Sequence, residues 1–342
     1  MSSLLAILKI FGLFLLLAAV IGFGLFLYFN LPGPSPRDDV KIGITFSHRY
    51  ATDLGVDWKE AYIAMLDELG ARHIRIPVYW DLTEPRRGEY DFSAVDFMVE
   101  EAELRGAEVI LAIGQRAPRW PECHIPEWVG EEGGGIVRQA RLTDFLADTV
   151  SRYRETDAVT VWQVENEPFV KFFGECPELS RDFFDRELAL VRALDPSRPI
   201  LVTDSGEFSM WTAAASRGDM FGMTMYRKVH NPKYGYITYP LGPNFYRAKA
   251  WLARLVTGQD DFIVAELQAE PWAAGWIPHV SVEEQYRTMN PEQLRKNVEY
   301  ARRAGFSAAY LWGAEWWYWL REERDEPAVW DTALELFGEA KK

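Results

Sequence analysis

Cysteine is nearly absent from this sequence: Cys123 and Cys176 are the only two in 342 residues. Two thiols are too few for a disulfide framework or a zinc site. The five histidines, His48, His73, His124, His230 and His279, are scattered, and no two are spaced as His-x-x-x-His. There is no glycine-rich phosphate loop to cradle a nucleotide. Positive charge is short as well, with 37 Lys and Arg against 51 Asp and Glu and a net charge of −14. Neutralising a phosphate backbone needs a basic face, so the charge balance argues against a nucleic-acid partner, and none is expected. Neither a metal nor an organic cofactor is expected. From residue 40 onward there is no linker rich in Ser, Gly or Pro, no low-complexity run and no internal repeat. That part reads as one body, 40–342.

One long apolar run is present. Ile10 to Phe29 carries no charge over twenty residues, and Lys9 precedes it. At about 1.5 Å per residue this length crosses the hydrocarbon of a bilayer. A cleaved signal would have a shorter apolar core and a small-x-small site. Ala18-Ala-Val20 is the nearest candidate, and apolar sequence continues well past it. Residues 1–30 are therefore expected to be an uncleaved transmembrane anchor, a membrane partner built into the chain. Leu31-Pro-Gly-Pro-Ser-Pro36 begins a short stiff linker, 31–39. Lys9 and the amino terminus favour the short end inside, while Arg37 and Lys41 compete. The expected location is the cell membrane, single-pass, with the body outside the cytoplasm.

The body is apolar enough for one large core, the whole chain being 48% apolar. Strands are expected at Lys41–Phe46, His73–Tyr79, Val109–Ile113, Val159–Val164, Ile200–Thr203, Met220–Met225, Phe262–Glu266 and Ala308–Trp312. Helical patterns separate them, at about 58–69, 94–105, 142–153, 181–194, 246–255 and 291–304, with a last helix near 328–337. Eight strand–helix units predict a (β/α)₈ TIM barrel, with an open doubly wound sheet as the alternative.

Two of these strands end in a carboxylate. Val159 to Val164 runs into Asn166-Glu167-Pro168, and Phe262-Ile-Val-Ala runs into Glu266. Taken alone, the triplet could be a strand end with a surface Glu. In a barrel both tips lie on the rim where such folds place their chemistry. Hydrolysis of a glycosidic bond with retention needs two facing carboxyls roughly 5 Å apart, one protonated and one ionised. The 14 Trp, 15 Tyr and 20 Phe suit sugar stacking, although core packing explains most of them.

Over residues 40–338 the chain resembles the clan A glycoside hydrolases, most closely the cellulase-like members of family 5. The segment Ile76-Pro-Val-Tyr-Trp-Asp-Leu-Thr-Glu-Pro-Arg-Arg-Gly-Glu-Tyr-Asp-Phe92 is similar to the clan's strand-two region. The resemblance implies that Glu167 is the acid/base and Glu266 the nucleophile. It implies that Arg75 sits beside the nucleophile and keeps it ionised, and that Asn166 bonds the sugar hydroxyl next to the reacting carbon. It also implies that Tyr226 bonds the nucleophile and that Trp312 is a stacking platform. Arg75 as a salt-bridged barrel residue, and Tyr226 and Trp312 as plain core aromatics, are the alternatives. Trp272 and Trp276 would line subsites, and Glu270 and Glu315 would bind substrate hydroxyls. By strand alternation Glu165 would point away from the side of Asn166, the neighbour of Glu167.

The chain departs from the family where a His usually follows strand three, since Gln115-Arg116 stands here. Near strand five Asp204-Ser-Gly206 replaces another expected His. Arg116–Gln139 and Lys171–Leu179 read as rim loops, each with one cysteine. The two cysteines could pair outside the cytoplasm, or remain separate buried thiols. The expected activity is double-displacement hydrolysis of β-linked oligo- or polysaccharides. An envelope transglycosidase and a non-catalytic sugar-binding barrel are the rival readings. The sugar, the linkage, endo or exo action and the oligomeric state are not encoded legibly.

Overall fold

Ten strands are present in a computed structural model that describes residues 2–339: β1 (Lys41–Thr45), β2 (His73–Pro77), β3 (Glu108–Ile113), β4 (Val159–Val164), β5 (Ile200–Asp204), β6 (Met220–Met225), β7 (Lys228–Asn231), β8 (Gly235–Thr238), β9 (Phe262–Gln268) and β10 (Ala308–Trp312). Eight of them close into a parallel barrel in the order β1-β10-β9-β6-β5-β4-β3-β2. Helices cross between successive barrel strands, so the fold is the expected TIM barrel. β7 and β8 form a separate antiparallel hairpin that the sequence reading did not anticipate.

Two apolar cores follow from side chains alternating along each strand. Inward, Ile110, Val161, Leu201, Ile263, Ala308 and Tyr310 fill the floor of the barrel. Outward, residues such as Ile74, Leu111, Trp162, Val202 and Val264 pack on the helices. Above the floor the interior becomes polar, with Arg75 and Gln163 both fully buried. That change of character, from apolar floor to charged roof, prepares a site at the strands' C-terminal ends.

The expected barrel strands recur with end shifts of two residues or fewer. β9 runs on to Gln268, so Glu266 lies inside the strand instead of ending it. The helix expected from Leu142 starts earlier, at Gly134. Trp316, Trp317 and Trp319 belong to an unforeseen helix, Ala314–Arg324. Its glycine N-cap, Gly313, has φ +108, and a Cβ there would lie 2.2 Å from Cβ of Glu270. Only glycine lets the chain pass so close to the loop after β9.

The apolar N-terminal run is one helix, Ser2–Asn30, and its Ala6–Asn30 portion is long and apolar enough to cross a membrane. The segment that follows runs along the helix Pro291–Ala304. Arg37 N donates to Arg302 O at 3.1 Å, and Arg303 Nη1 to Pro34 O at 3.2 Å.

Candidate active site

Strict alternation from Ile263, whose side chain is in the barrel floor, would aim Glu266 outward at the helices. A register shift prevents this. Val264 pairs with Met223, but the next residue of β6, Thr224, pairs with Glu266. The extra residue is a β-bulge, which re-aims a side chain by one position. It turns the Glu266 carboxylate inward. At the tip of β4 the backbone does the equivalent work by left-handed conformation, with φ +59 at Glu165 and +46 at Glu167. Non-glycine residues in this region store strain that surrounding contacts must hold. Glu165 is thereby turned away from the barrel axis, its carboxylate accepting from the N–H groups of Gln115 and Arg116 at 2.9 and 2.7 Å.

Arg75 joins the two strand tips. Its Nη1 lies 2.9 Å from Glu266 Oε1 and its Nη2 donates to Asn166 Oδ1 at 2.7 Å, while Nε donates to Gln163 Oε1 at 2.7 Å. A guanidinium offers five donors in a rigid fork, which suits one residue to fixing three others. The other Glu266 oxygen accepts from the Tyr226 hydroxyl at 3.2 Å. Asn166 is fully engaged, since its Nδ2 donates to Glu122 Oε2 at 3.0 Å. Glu167 is anchored through its backbone, N–H to Thr203 Oγ1 at 2.9 Å.

The two carboxyls stand in different environments. Burial holds the Glu167 carboxyl well above the usual range, and the negative charges of Glu266, Glu122 and Asp204 push it the same way. Glu266 is paired with a cation and a phenol. The Glu122 carboxyl is pushed up to about 8, by burial first and then by Glu266. Two carboxyls whose surroundings separate them in this way can divide acid and base roles.

Both line one cavity of about 620 Å³. Aromatic side chains line much of it: Tyr50, Trp120, Phe172, Phe173, Phe208, Tyr226, Tyr239, Trp272, Trp276 and Trp312. Trp272 meets Tyr226 edge-on at 5.4 Å between ring centres. Arg119 is sandwiched between Tyr50 and Trp312, its guanidinium carbon 3.8 and 4.2 Å from their ring centres. The same guanidinium bonds Glu270 and Glu315. Ring faces interleaved with a few fixed polar groups make a surface that fits a sugar's alternating apolar and hydroxyl faces.

Of the residues singled out in the sequence, Glu167, Glu266, Tyr226, Trp272, Trp276, Trp312 and Glu270 are on the cavity wall. Arg75 and Asn166 lie behind it and act on the wall through Glu266 and Glu122. Glu315 must be corrected. It is fully buried, receives the backbone N–H of Ser47 and the Arg119 guanidinium, and does not reach the cavity. The helix starting at Ala314 aims it back into the barrel wall, so it supports Arg119 instead of meeting substrate.

Sequence reasoning missed Arg119, Glu122 and Glu207. Glu207 lines the cavity and accepts from Tyr226 N at 2.7 Å and the Tyr246 hydroxyl at 2.6 Å, which fixes the start of the Tyr226 loop. Asp204-Ser-Gly-Glu207, directly after β5, was its available signal. Cys123 and Cys176 are joined as a disulfide, tying the loop after β3 to the loop after β4.

The family model described as Cellulase (glycosyl hydrolase family 5) matches residues 44–301. Beta-galactosidase BgaA of Clostridium cellulovorans is 23% identical over 167 residues, 43% of this chain and 25% of that protein. A beta-galactosidase structure from the Antarctic haloarchaeon Halorubrum lacusprofundi superposes with a TM-score of 0.60 at 16% identity, covering 87% of this chain and 58% of that one. A GH5_18 protein of Bifidobacterium longum, in complex with Manβ1-4GlcNAc, gives a TM-score of 0.58 at 15% identity, covering 89% and 79%. These structures share the barrel fold. The chain spans about a quarter of the length of BgaA.

Proposed function

The chain belongs to the cellulase family of glycosyl hydrolases, family 5, and from that premise we propose that it is a retaining β-glycoside hydrolase acting on β-linked oligo- or polysaccharides. Glu167 is the acid/base and Glu266 the nucleophile. The observation that carries the reading is Arg75, whose one guanidinium holds both Glu266 and Asn166, so that β4 and β9 deliver their carboxyls to a common cavity.

The Glu266 carboxylate attacks the anomeric carbon while the glycosidic C–O bond breaks. Glu167 gives its proton to the departing oxygen. The resulting Glu167 carboxylate then takes a proton from water, whose oxygen attacks the same carbon and releases Glu266. Two inversions leave the configuration retained. The Tyr226 hydroxyl, 3.2 Å from Glu266, gives up its contact as the ester forms. Trp312 and Trp272 supply ring faces for the sugars on either side.

The N-terminal helix serves as a single membrane span, residues 1–30, joined through 31–39 to the barrel at 40–342. The barrel works outside the cytoplasm. The Cys123–Cys176 pair supports that placement, because disulfides persist in oxidising compartments.

The test uses 2-deoxy-2-fluoro β-glycosides with a good leaving group, which stall at the glycosyl-enzyme stage. Peptide mapping is expected to place the adduct on Glu266. An adduct on Glu122, Glu207 or Glu270 reassigns the nucleophile, and a product of inverted configuration ends the retaining reading.

A further inference from the structure

The helix Pro243–Thr257, on the outer wall of the barrel, turns an apolar face to the outside. Trp251, Leu252, Leu255 and Val256 are 63%, 42%, 69% and 63% exposed. Among the described residues, no other barrel helix shows four large exposed apolar side chains within six positions. Trp251 and Leu255, like Leu252 and Val256, are one helical turn apart and form a single stripe.

That stripe leads to the N-terminal helix. Asn244 and Phe245 stand seven residues before Trp251 and Leu252, on the same face. Asn244 Nδ2 donates to Tyr28 O at 3.2 Å, and Phe245 meets Phe29 edge-on at 5.5 Å. Asn30 Nδ2 adds a bond to Pro240 O at 3.1 Å. A Cβ at Gly242 would lie 2.1 Å from Phe29 O, so glycine is what lets the two helices approach this closely. The last turn of the apolar helix is therefore seated at the head of the exposed stripe. Arg247 lies one turn before Trp251 and, among the described residues, has no carboxylate partner; its Nη1 reaches only Ala304 O, at 3.4 Å.

We propose that this outer face of the helix Pro243–Thr257 rests in the surface of a lipid bilayer, beside the point where the N-terminal helix enters it. The inference builds on the reading of that helix as a membrane span. A cation, a tryptophan and aliphatic side chains together on one face are what a helix lying in the interface presents to headgroups and to the edge of the acyl chains. Continuity with the seat of the N-terminal helix selects lipid over a soluble partner. Because the helix runs along the barrel wall, the barrel lies on its side, and its mouth opens along the membrane plane.

The full chain, reconstituted into phosphatidylcholine vesicles containing some phosphatidylglycerol and a nitroxide-bearing lipid, tests this. The native cysteines are paired, so a single introduced cysteine carries the fluorescent probe. Leu255→Cys reports the proposed face and Phe14→Cys the span. Leu104→Cys, at a 78% exposed position on the helix Ser93–Leu104 beyond β2, reports a different part of the wall. Lipid quenching is expected at Leu255 and Phe14, severalfold stronger than at Leu104. Quenching at Phe14 with Leu255 no different from Leu104 overturns the docked face and leaves the span standing. No quenching at Phe14 overturns the span and the docked face together. A Leu255 probe shielded from water but unaffected by the nitroxide lipid places a second copy on the face and overturns the proposal.

Discussion

The guanidinium carbon of Arg119 lies 4.2 Å above the ring centre of Trp312, on a loop residue with φ +98. The platform tryptophan and the cation are thus one unit, held by the buried carboxylate of Glu315 and by the half-buried one of Glu270 on the cavity wall.

Replacing Arg119 by Met leaves those two carboxylates without their counter-ion. Breaking a buried pair from one side costs about 3–5 kcal/mol. Denaturant unfolding of R119M is expected to show a loss of this order. The double variant R119M/E315Q should recover part of it, because one stranded charge is removed. Equal stability of the single variant and the parent would mean that the bridge carries no weight.

Glu167→Ala should separate substrates by their leaving groups. A nitrophenolate departs without a proton, so aryl glycosides keep most of their turnover. Natural β-linked sugars should lose about 10²–10⁴-fold, the usual worth of general acid catalysis. Initial rates on the two substrate types measure the split. Equal losses on both would remove Glu167 from the acid role.

Glu122 shapes the alkaline side of the pH profile. Glu167 must carry its proton for the first step, so activity falls as pH rises through its raised pKa. The Glu122 carboxyl, which titrates near pH 8, adds a negative charge beside Glu167 as it ionises. Glu122→Gln keeps an acceptor for Asn166 but removes that charge. The alkaline limb of kcat/KM is expected to move to lower pH, with the acid limb unchanged. An unmoved alkaline limb would show that the two carboxyls do not sense each other.

Glu187 and Glu165 should make stability fall with rising pH. Both are buried, Glu165 is pushed up to about 7, and Glu187 is held well above its usual range by burial and by Glu165. A carboxyl whose folded pKa is raised binds more protons when folded than when unfolded. Its stabilisation is whole below the unfolded pKa, about 4.5, and is lost as pH rises through the folded one. Tm of the parent is expected to drop by several degrees between about pH 5 and pH 8. In Glu187→Gln, which can donate to Glu165 without titrating, the drop should shrink. Identical Tm curves would rule the pair out as the source.

The parts of this molecule legible in the sequence are those governed by local period. Val159–Val164 and Ala308–Trp312 read as buried strands because β-branched and apolar residues fill nearly every position between turns, and their bounds match those of β4 and β10. Glu167 and Glu266 stood out because a carboxylate ended each such run. The hairpin Lys228–Thr238 was hidden by its short, half-buried strands and its three-residue connection, Pro232-Lys-Tyr234, which lacks a tight Asn-Gly turn. Arg119 and Glu122 were invisible for a different reason. They sit on a loop without period, and their positive φ values and the bridge to Cys176 set their direction. Glu315 was visible as an acid after the last strand, but its aim depends on how the next helix begins.

The link between Cys123 and Cys176 fastens two segments that each bear one acid of the cavity, Glu122 and Glu167. A thiol reductant would therefore loosen the spacing of those acids while leaving every acid chemically intact. The competence of a given molecule then records the redox history of the place where it matured.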